Sequence, residues 1–211
     1  MKEPTNGANG GTAGSSRKIG RPLSFDRDAV LEKAMLTFWR HGYETSSISE
    51  LTTAMGITAP SLYAAFGSKK RLFLEAVGRY AGDPQLLADR IDNSATAYEA
   101  ARAMLKAAAT AFTGPTTPRG CLLASATASG SAESADVQAA VSNIRSAIAE
   151  QLRLRIVRDV ATGIMPTSTD AAVLAGLVIA VIQGMSVLAR DGMPLVGLIA
   201  IGEASMSAWH H

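Results

Sequence analysis

The sequence predicts an all-α protein, with a small helical unit followed by a larger helical domain. Three observations carry this prediction. Apolar residues recur at spacings of three and four along most of the 211 residues, after a polar N-terminal tail. Ser, Thr or Asp heads the clearest of these rows and Gly or Pro ends them, as helix starts and stops require. Alanine and glycine are abundant, and β-branched clusters are few outside one late apolar run. The divisions expected are a flexible arm over 1–22, a first domain over 23–82 and a second over 83–211.

Met1 to Ser16 is rich in Gly, Asn, Thr and Ser without apolar periodicity, so it reads as a tail. Arg17, Lys18 and Arg21 form a basic cluster just before the first helix. That helix is expected from Asp26 to His41, with Asp26 as N-cap, Phe25 stapled onto Val30, and Gly42 as the stop. Val30, Ala34 and Phe38 make its apolar row. Ser47 and Glu50 form a capping box for a second helix that buries Ile48, Leu51 and Met55. Gly56 breaks it where a left-handed residue costs least, and Thr58 caps the next helix. Pro60 in the first turn there sacrifices no intrahelical hydrogen bond, and Leu62 and Phe66 face inward. A fourth helix starts at Ser68, carries Leu72, Phe73 and Val77, and ends near Gly82-Asp83-Pro84. Eight of the eleven aromatic residues lie before residue 82, because a core this small needs large side chains.

The second domain builds its interior from Leu, Ile, Val, Met and Ala. Thr96 and Glu99 suggest a second capping box, opening a helix through Met104, Leu105, Ala108 and Phe112 that breaks at Gly114-Pro115. Cys121-Leu122-Leu123 begins a short helix that fades at Gly130. A long helix starts at Ser134 or Ala135 and runs through Val137, Val141, Ile144, Ile148, Leu152 and Ile156, with Arg153, Arg155 and Arg158 suiting the dipole at its far end. An apolar helix from Asp170 to Ala189 and a last one from Leu195 to Trp209 complete the chain. The apolar run is as long as a membrane span, but Gln183, Ser186 and its charged ends fit a buried oligomer helix better, so no membrane is expected.

Charge is uneven. The first 82 residues carry a net +4 and the remainder −2, a division that suits a nucleic-acid-binding unit attached to something else. A single cysteine rules out an internal disulfide and fits a reducing cytoplasm. The polar N-terminus holds no apolar signal segment. His41, His210 and His211 do not make a metal site, and no phosphate-cradling loop, nucleophile elbow or zinc spacing is present. No enzyme, metal or cofactor is therefore expected.

Two short helices joined by a glycine turn and packed on a third form a helix-turn-helix, whose second helix fits the DNA major groove. Base-edge contacts would fall to Thr58, Ala59, Pro60 and Ser61 at the exposed start of that helix, with thymine methyl groups as natural partners for such small residues. Thr58 is equally well explained as a cap alone. Phe38 with Gly42-Tyr43, Ser46-Ser47-Ile48, Met55-Gly56-Ile57, Ser61-Leu62-Tyr63, and Phe66 followed by Ser68-Lys69-Lys70 and Leu72 together resemble the pattern of the TetR family of bacterial repressors. Thr52 departs from it, standing where a small Ala usually packs; its hydroxyl is expected to bond back one turn. The resemblance implies an N-terminal helix-turn-helix DNA-binding domain plus a C-terminal helical ligand-binding and dimerisation domain. It also implies phosphate contacts by Ser47, Tyr63 and Lys70, and a minor-groove or phosphate role for the arm residues Arg17, Lys18 and Arg21, which otherwise read as a solvated tail.

The function expected from the resemblance is a dimeric repressor on a palindromic double-stranded operator, released by a small-molecule effector. Effector-site candidates are Met104, Ala108, Phe112, Cys121, Leu123, Ile144, Ile148, Val178, Ile182, Gln183 and Met185, every one of which serves equally as core. Cys121 follows Pro118-Arg119-Gly120 at a helix start, where a redox- or electrophile-sensitive thiol is conceivable and a small buried residue is the simpler account. Val173, Leu177, Val181, Leu188, Leu195, Leu198, Ile199, Gly202 and Met206 are expected to pack against their symmetry copies in a homodimer. The rival reading is an all-helical small-molecule-binding protein without DNA function.

Overall fold

The computed structural model describes Met1, residues 25–125 and residues 134–209. The arm with Arg17, Lys18 and Arg21, the expected helix end at Gly130 and the final His210-His211 pair lie outside the described residues. Ten α-helices and a terminal 3-10 turn account for the regular structure among the described residues, with no strand.

The first four helices are α1 (Arg27–His41), α2 (Ile48–Met55), α3 (Ala59–Phe66) and α4 (Lys69–Ala81). Each begins at a side-chain cap supplied by Asp26, Ser47, Thr58 or Ser68 in turn. The caps satisfy backbone donors that a helix start leaves without intrahelical partners. Both bonds of the Ser47–Glu50 capping box are present. Phe38, Leu51, Leu62, Phe66, Leu72 and Phe73 are fully buried where these helices meet, and Phe73 meets Phe38 edge-on at 5.0 Å. Thr52 donates to the carbonyl of Ile48 at 2.8 Å, so the atypical hydroxyl is satisfied within its own helix.

The remaining helices are α5 (Pro84–Asp92), α6 (Ala97–Phe112), α7 (Leu122–Ser125), α8 (Ala135–Ala161), α9 (Ala171–Arg190) and α10 (Leu195–Ser205), then the 3-10 turn Met206–Trp209. Helix α5 departs from the sequence expectation, which has only a stop at Gly82-Asp83-Pro84. Asp83 instead caps a new helix by accepting from the amide of Gln85 at 2.9 Å, and Pro84 occupies a first-turn position where proline favours initiation. Helices α6, α8, α9 and α10 pack on one another as the larger bundle.

The expected dimer face needs correction. Leu198, Gly202 and Met206 are buried within the protomer, because the inner row of α10 packs on α6; a Cβ on Gly202 would sit 3.3 Å from the Cβ of Leu105. The large apolar residues left exposed on these two helices are Val173 and Val187 on α9 and Leu195 and Val196 on α10, with Val173 and Val196 63% and 73% exposed. Among the described residues α9 is the helix long and apolar enough to cross a membrane; it packs on α6, α8 and α10.

Two polar clusters fix the bundle. Arg155 and Asp159, 4% and 1% exposed, form an ion pair at 2.6 Å inside it. Arg155 also donates to the carbonyls of Ser94 and Ala95, while Asp159 accepts from the amide of Ala97 at 2.6 Å, so α8 closes the start of α6. The dipole role expected of Arg155 is thus replaced by a buried structural one. The second cluster ties the large bundle to α1. Trp39 Nε1 donates to the carbonyl of Gly120 at 3.0 Å, and Arg190 donates to the carbonyl of Trp39 at 3.0 Å. Gly120 has φ +81°, and a Cβ there would fall 2.7 Å from the carbonyl oxygen of Ser186. Only glycine fits so close an approach.

Candidate nucleic-acid interface

Helix α3 is anchored by its inner face and presents its outer one. Leu62 and Phe66 are fully buried, whereas Thr58, Pro60, Tyr63 and Ala64 are exposed and Ala59 and Ser61 are half-buried. Gly56, at φ +71° in the left-handed region, turns the chain from α2 into α3 without a steric penalty. Its amide bonds back to the carbonyl of Thr52 at 2.9 Å, closing α2 before the reversal. The leading end of α3 is therefore a fixed, solvent-facing edge of small residues.

Thr58 has both capping and exposed character. Its Oγ1 accepts from the amide of Ser61 at 3.4 Å and lies 2.9 Å from the Ser61 hydroxyl. The two candidate base-reading hydroxyls thus hold each other. Ser47, at the start of α2, is exposed beside Glu50, whose carboxyl is held below the usual range mainly by its bond from the Ser47 amide, with the Ser47 hydroxyl adding to it. Tyr63 is 48% exposed.

Cations surround the same face. Lys70 pairs with Asp136 in the first turn of α8, so this predicted phosphate ligand is already engaged across the two bundles. Lys69, assigned no role from sequence, stands 4.7 Å above the Tyr43 ring and donates to the carbonyl of Glu44 at 3.2 Å. Partial burial lowers its ammonium pKa, against the opposing pull of Glu44 and Glu50. Arg27 lies over the Phe66 ring at 4.5 Å and pairs with Glu75 at 2.6 Å, bracing α3 from behind. None of these contacts is legible in the sequence, since the partners are 25 to 48 residues apart.

The effector candidates do not converge on one place. Phe112, Cys121, Leu123, Val178 and Met185 are buried in the core; Ala108, Ile182 and Gln183 are half-buried. Ile144 and Ile148 line a cavity of about 360 Å³ between α4, α5 and α8, while Met104 lines a separate groove of about 190 Å³ between α5 and α6. Cys121 is 5% exposed, takes a hydrogen bond on sulfur from the Tyr80 hydroxyl at 3.3 Å, and donates its amide to Ser186 Oγ at 2.8 Å. Burial, with the neighbouring Cys121 adding to it, pushes the Tyr80 hydroxyl pKa far up. Among the described residues no cluster of His, Cys, Asp or Glu is arranged to hold a metal.

Comparison with known proteins agrees with this architecture. Residues 30–76 match the family described as bacterial regulatory proteins, tetR family, and residues 97–191 match the tetracyclin repressor-like C-terminal domain. The HTH-type transcriptional repressor ComR of Escherichia coli K12 is 34% identical over 198 residues, covering 90% of this chain and 91% of its own. The HTH-type transcriptional repressor BdcR of the same strain is 34% identical over 113 residues, covering 53% of this chain and 57% of its own. Among solved structures, a cysteine-substituted TetR family regulator CifR complexed with 26-bp double-strand operator DNA superposes with a TM-score of 0.84. It is 40% identical, over 90% of this chain and all of that one. With a helix-turn-helix packed as described and a full-length relative above 30% identity, the chain belongs to the tetR family of bacterial regulatory proteins.

Proposed function

We propose that this protein is a cytoplasmic transcriptional repressor and not an enzyme, binding a near-palindromic DNA operator as a homodimer and leaving it when a small molecule binds. The observation that carries this reading is the exposed, capped start of α3 held on a buried core. An isologous dimer would set two such helices about 34 Å apart, one turn of duplex. The outward valines and leucine of α9 and α10 supply an apolar face for that pairing. In this scheme Ser47 and Tyr63 contact phosphate, Thr58, Ala59, Pro60 and Ser61 meet base edges, and Arg17, Lys18 and Arg21 add arm contacts. Lys70 reaches phosphate by exchanging its Asp136 partner. An effector acts by binding more tightly to the dimer geometry that cannot span the operator.

The test is selection of duplexes from fragmented genomic DNA, followed by fluorescence anisotropy against salt. Palindrome-selective binding that weakens steeply with salt is expected. Absence of any duplex affinity at low salt would leave a helical ligand-binding protein instead. The burial of Cys121 favours a packing role over a redox one; equal oxidant response of wild type and Cys121→Ser would settle the thiol's part.

A further inference from the structure

The cavity between the end of α4, the start of α5 and the middle of α8 has the chemistry of a ligand site. Its volume of about 360 Å³ falls within the range that small-molecule sites occupy. Its walls include Gly78, Gly82, Leu87, Ile144 and Ile148, and among the described residues Gln151 is the one lining residue with a polar side chain. Among the described residues no carboxylate or cation lines it. An ionised guest would be stripped of water there without a counter-charge, which is strongly unfavourable, while an apolar guest loses nothing. The amide of Gln151 offers both a donor and an acceptor to a single polar group.

Two glycines make the space. Gly78 lies within helical α4, where alanine or leucine would favour the helix more, and a Cβ there would meet no atom within 4 Å. Gly82 likewise faces open space. Helix α4 follows directly on α3, and its first turn is paired to α8 through Lys70 and Asp136. A guest between the other end of α4 and α8 therefore touches the helix that carries the reading edge.

We propose that this α4–α5–α8 cavity is the effector site, and that its ligand is an uncharged, largely apolar small molecule presenting one hydrogen-bonding group to Gln151. The assignment rests on the repressor reading above. The probe is N-phenyl-1-naphthylamine, a neutral apolar fluorophore, with its sulfonated relative 1-anilinonaphthalene-8-sulfonate as the charged comparison.

The neutral probe should bind wild type roughly tenfold or more tightly than the sulfonate does, and Gly78→Leu should weaken it by a similar factor. Ala103→Leu, which intrudes on the separate α5–α6 groove, should leave binding unchanged. Saturating probe should also weaken binding to the selected duplex by roughly tenfold. Equal binding of both probes, indifference to Gly78→Leu, or loss in Ala103→Leu would overturn the site. If Gly78→Leu does not fold, methyl NMR of wild type decides: shifts at Ile144 and Ile148 on titration support the site, and their absence refutes it. Probe binding without duplex weakening would refute the effector role. A protein that binds no duplex would instead refute the repressor reading, with the probe results still judging the cavity.

Discussion

The two bundles of this chain are built by different means. In α1–α4 every helix start carries a side-chain cap, and aromatic rings supply the core, with Phe38, Tyr43 and Phe73 within about 6 Å of one another. Beyond them Asp83, Thr96 and Asp170 cap α5, α6 and α9, but α8, 27 residues long, and α10, 11 residues long, start without a side-chain cap bond. There the decisive contacts are distant: Arg155 to Ser94, Asp159 to Ala97, Arg190 to Trp39. The small bundle is specified locally and holds one shape, as a surface that must match DNA requires. The large one leans on a few long-range contacts, shares a cavity with α4 and keeps an outward apolar face, where a ligand and a second copy have room to act.

That contrast breaks first at Phe38. Phe38→Ala removes a fully buried ring and should cost about 3–5 kcal/mol, read as a lowered urea midpoint with loss of duplex binding. Asp159→Ala should cost about 3 kcal/mol, because it strands a buried guanidinium and the first amide of α6. Hydrogen exchange should then rise in α6 and α8 while α2 and α3 stay protected; uniform exchange would mean the bundles do not differ as described. Trp39→Phe keeps the ring packing but orphans the Gly120 carbonyl, with an expected cost of about 1–3 kcal/mol. Thr58→Ala should cost about 1 kcal/mol of cap energy, measurable in the thermal midpoint.

The smallest effect concerns alkaline pH. The folded protein holds the Tyr80 proton more tightly than the unfolded chain does, so this contribution is intact below the ordinary tyrosine pKa of about 10 and declines as pH rises beyond it. Urea midpoints of wild type should fall more steeply between neutral and alkaline solution than those of Tyr80→Phe. Parallel falls would place Tyr80 outside the linkage.

What the sequence disclosed follows the same division. The caps at Asp26, Ser47 and Thr58, the turn at Gly56 and the inward Leu62 and Phe66 were all readable, because each depends on neighbours within four residues. Helix α5 was missed because Gly82-Asp83-Pro84 is at once a stop for one helix and a cap with first-turn proline for the next. The inward turn of Leu198, Gly202 and Met206 was missed because α10 is apolar on nearly all sides, so period alone does not choose its inner face. Arg155 reads as a dipole partner because two of its three acceptors among the described residues, the carbonyls of Ser94 and Ala95, lie 61 and 60 residues away. The cavity is half-legible: Ile144 and Ile148 stand among the sequence candidates, but Gly82 reads only as a helix stop and Gly78 carries no signal of its own.

The account stands or falls on the outer face of α3 meeting a duplex. Ala64 is exposed on that face, one turn beyond Pro60 and beside Tyr63, so Ala64→Glu adds a carboxylate without disturbing the buried row. Anisotropy of the selected duplex against this variant should show binding lost at salt concentrations where wild type is saturated, with an unchanged thermal midpoint. Wild-type affinity in Ala64→Glu would contradict the assignment of α3 as the reading helix.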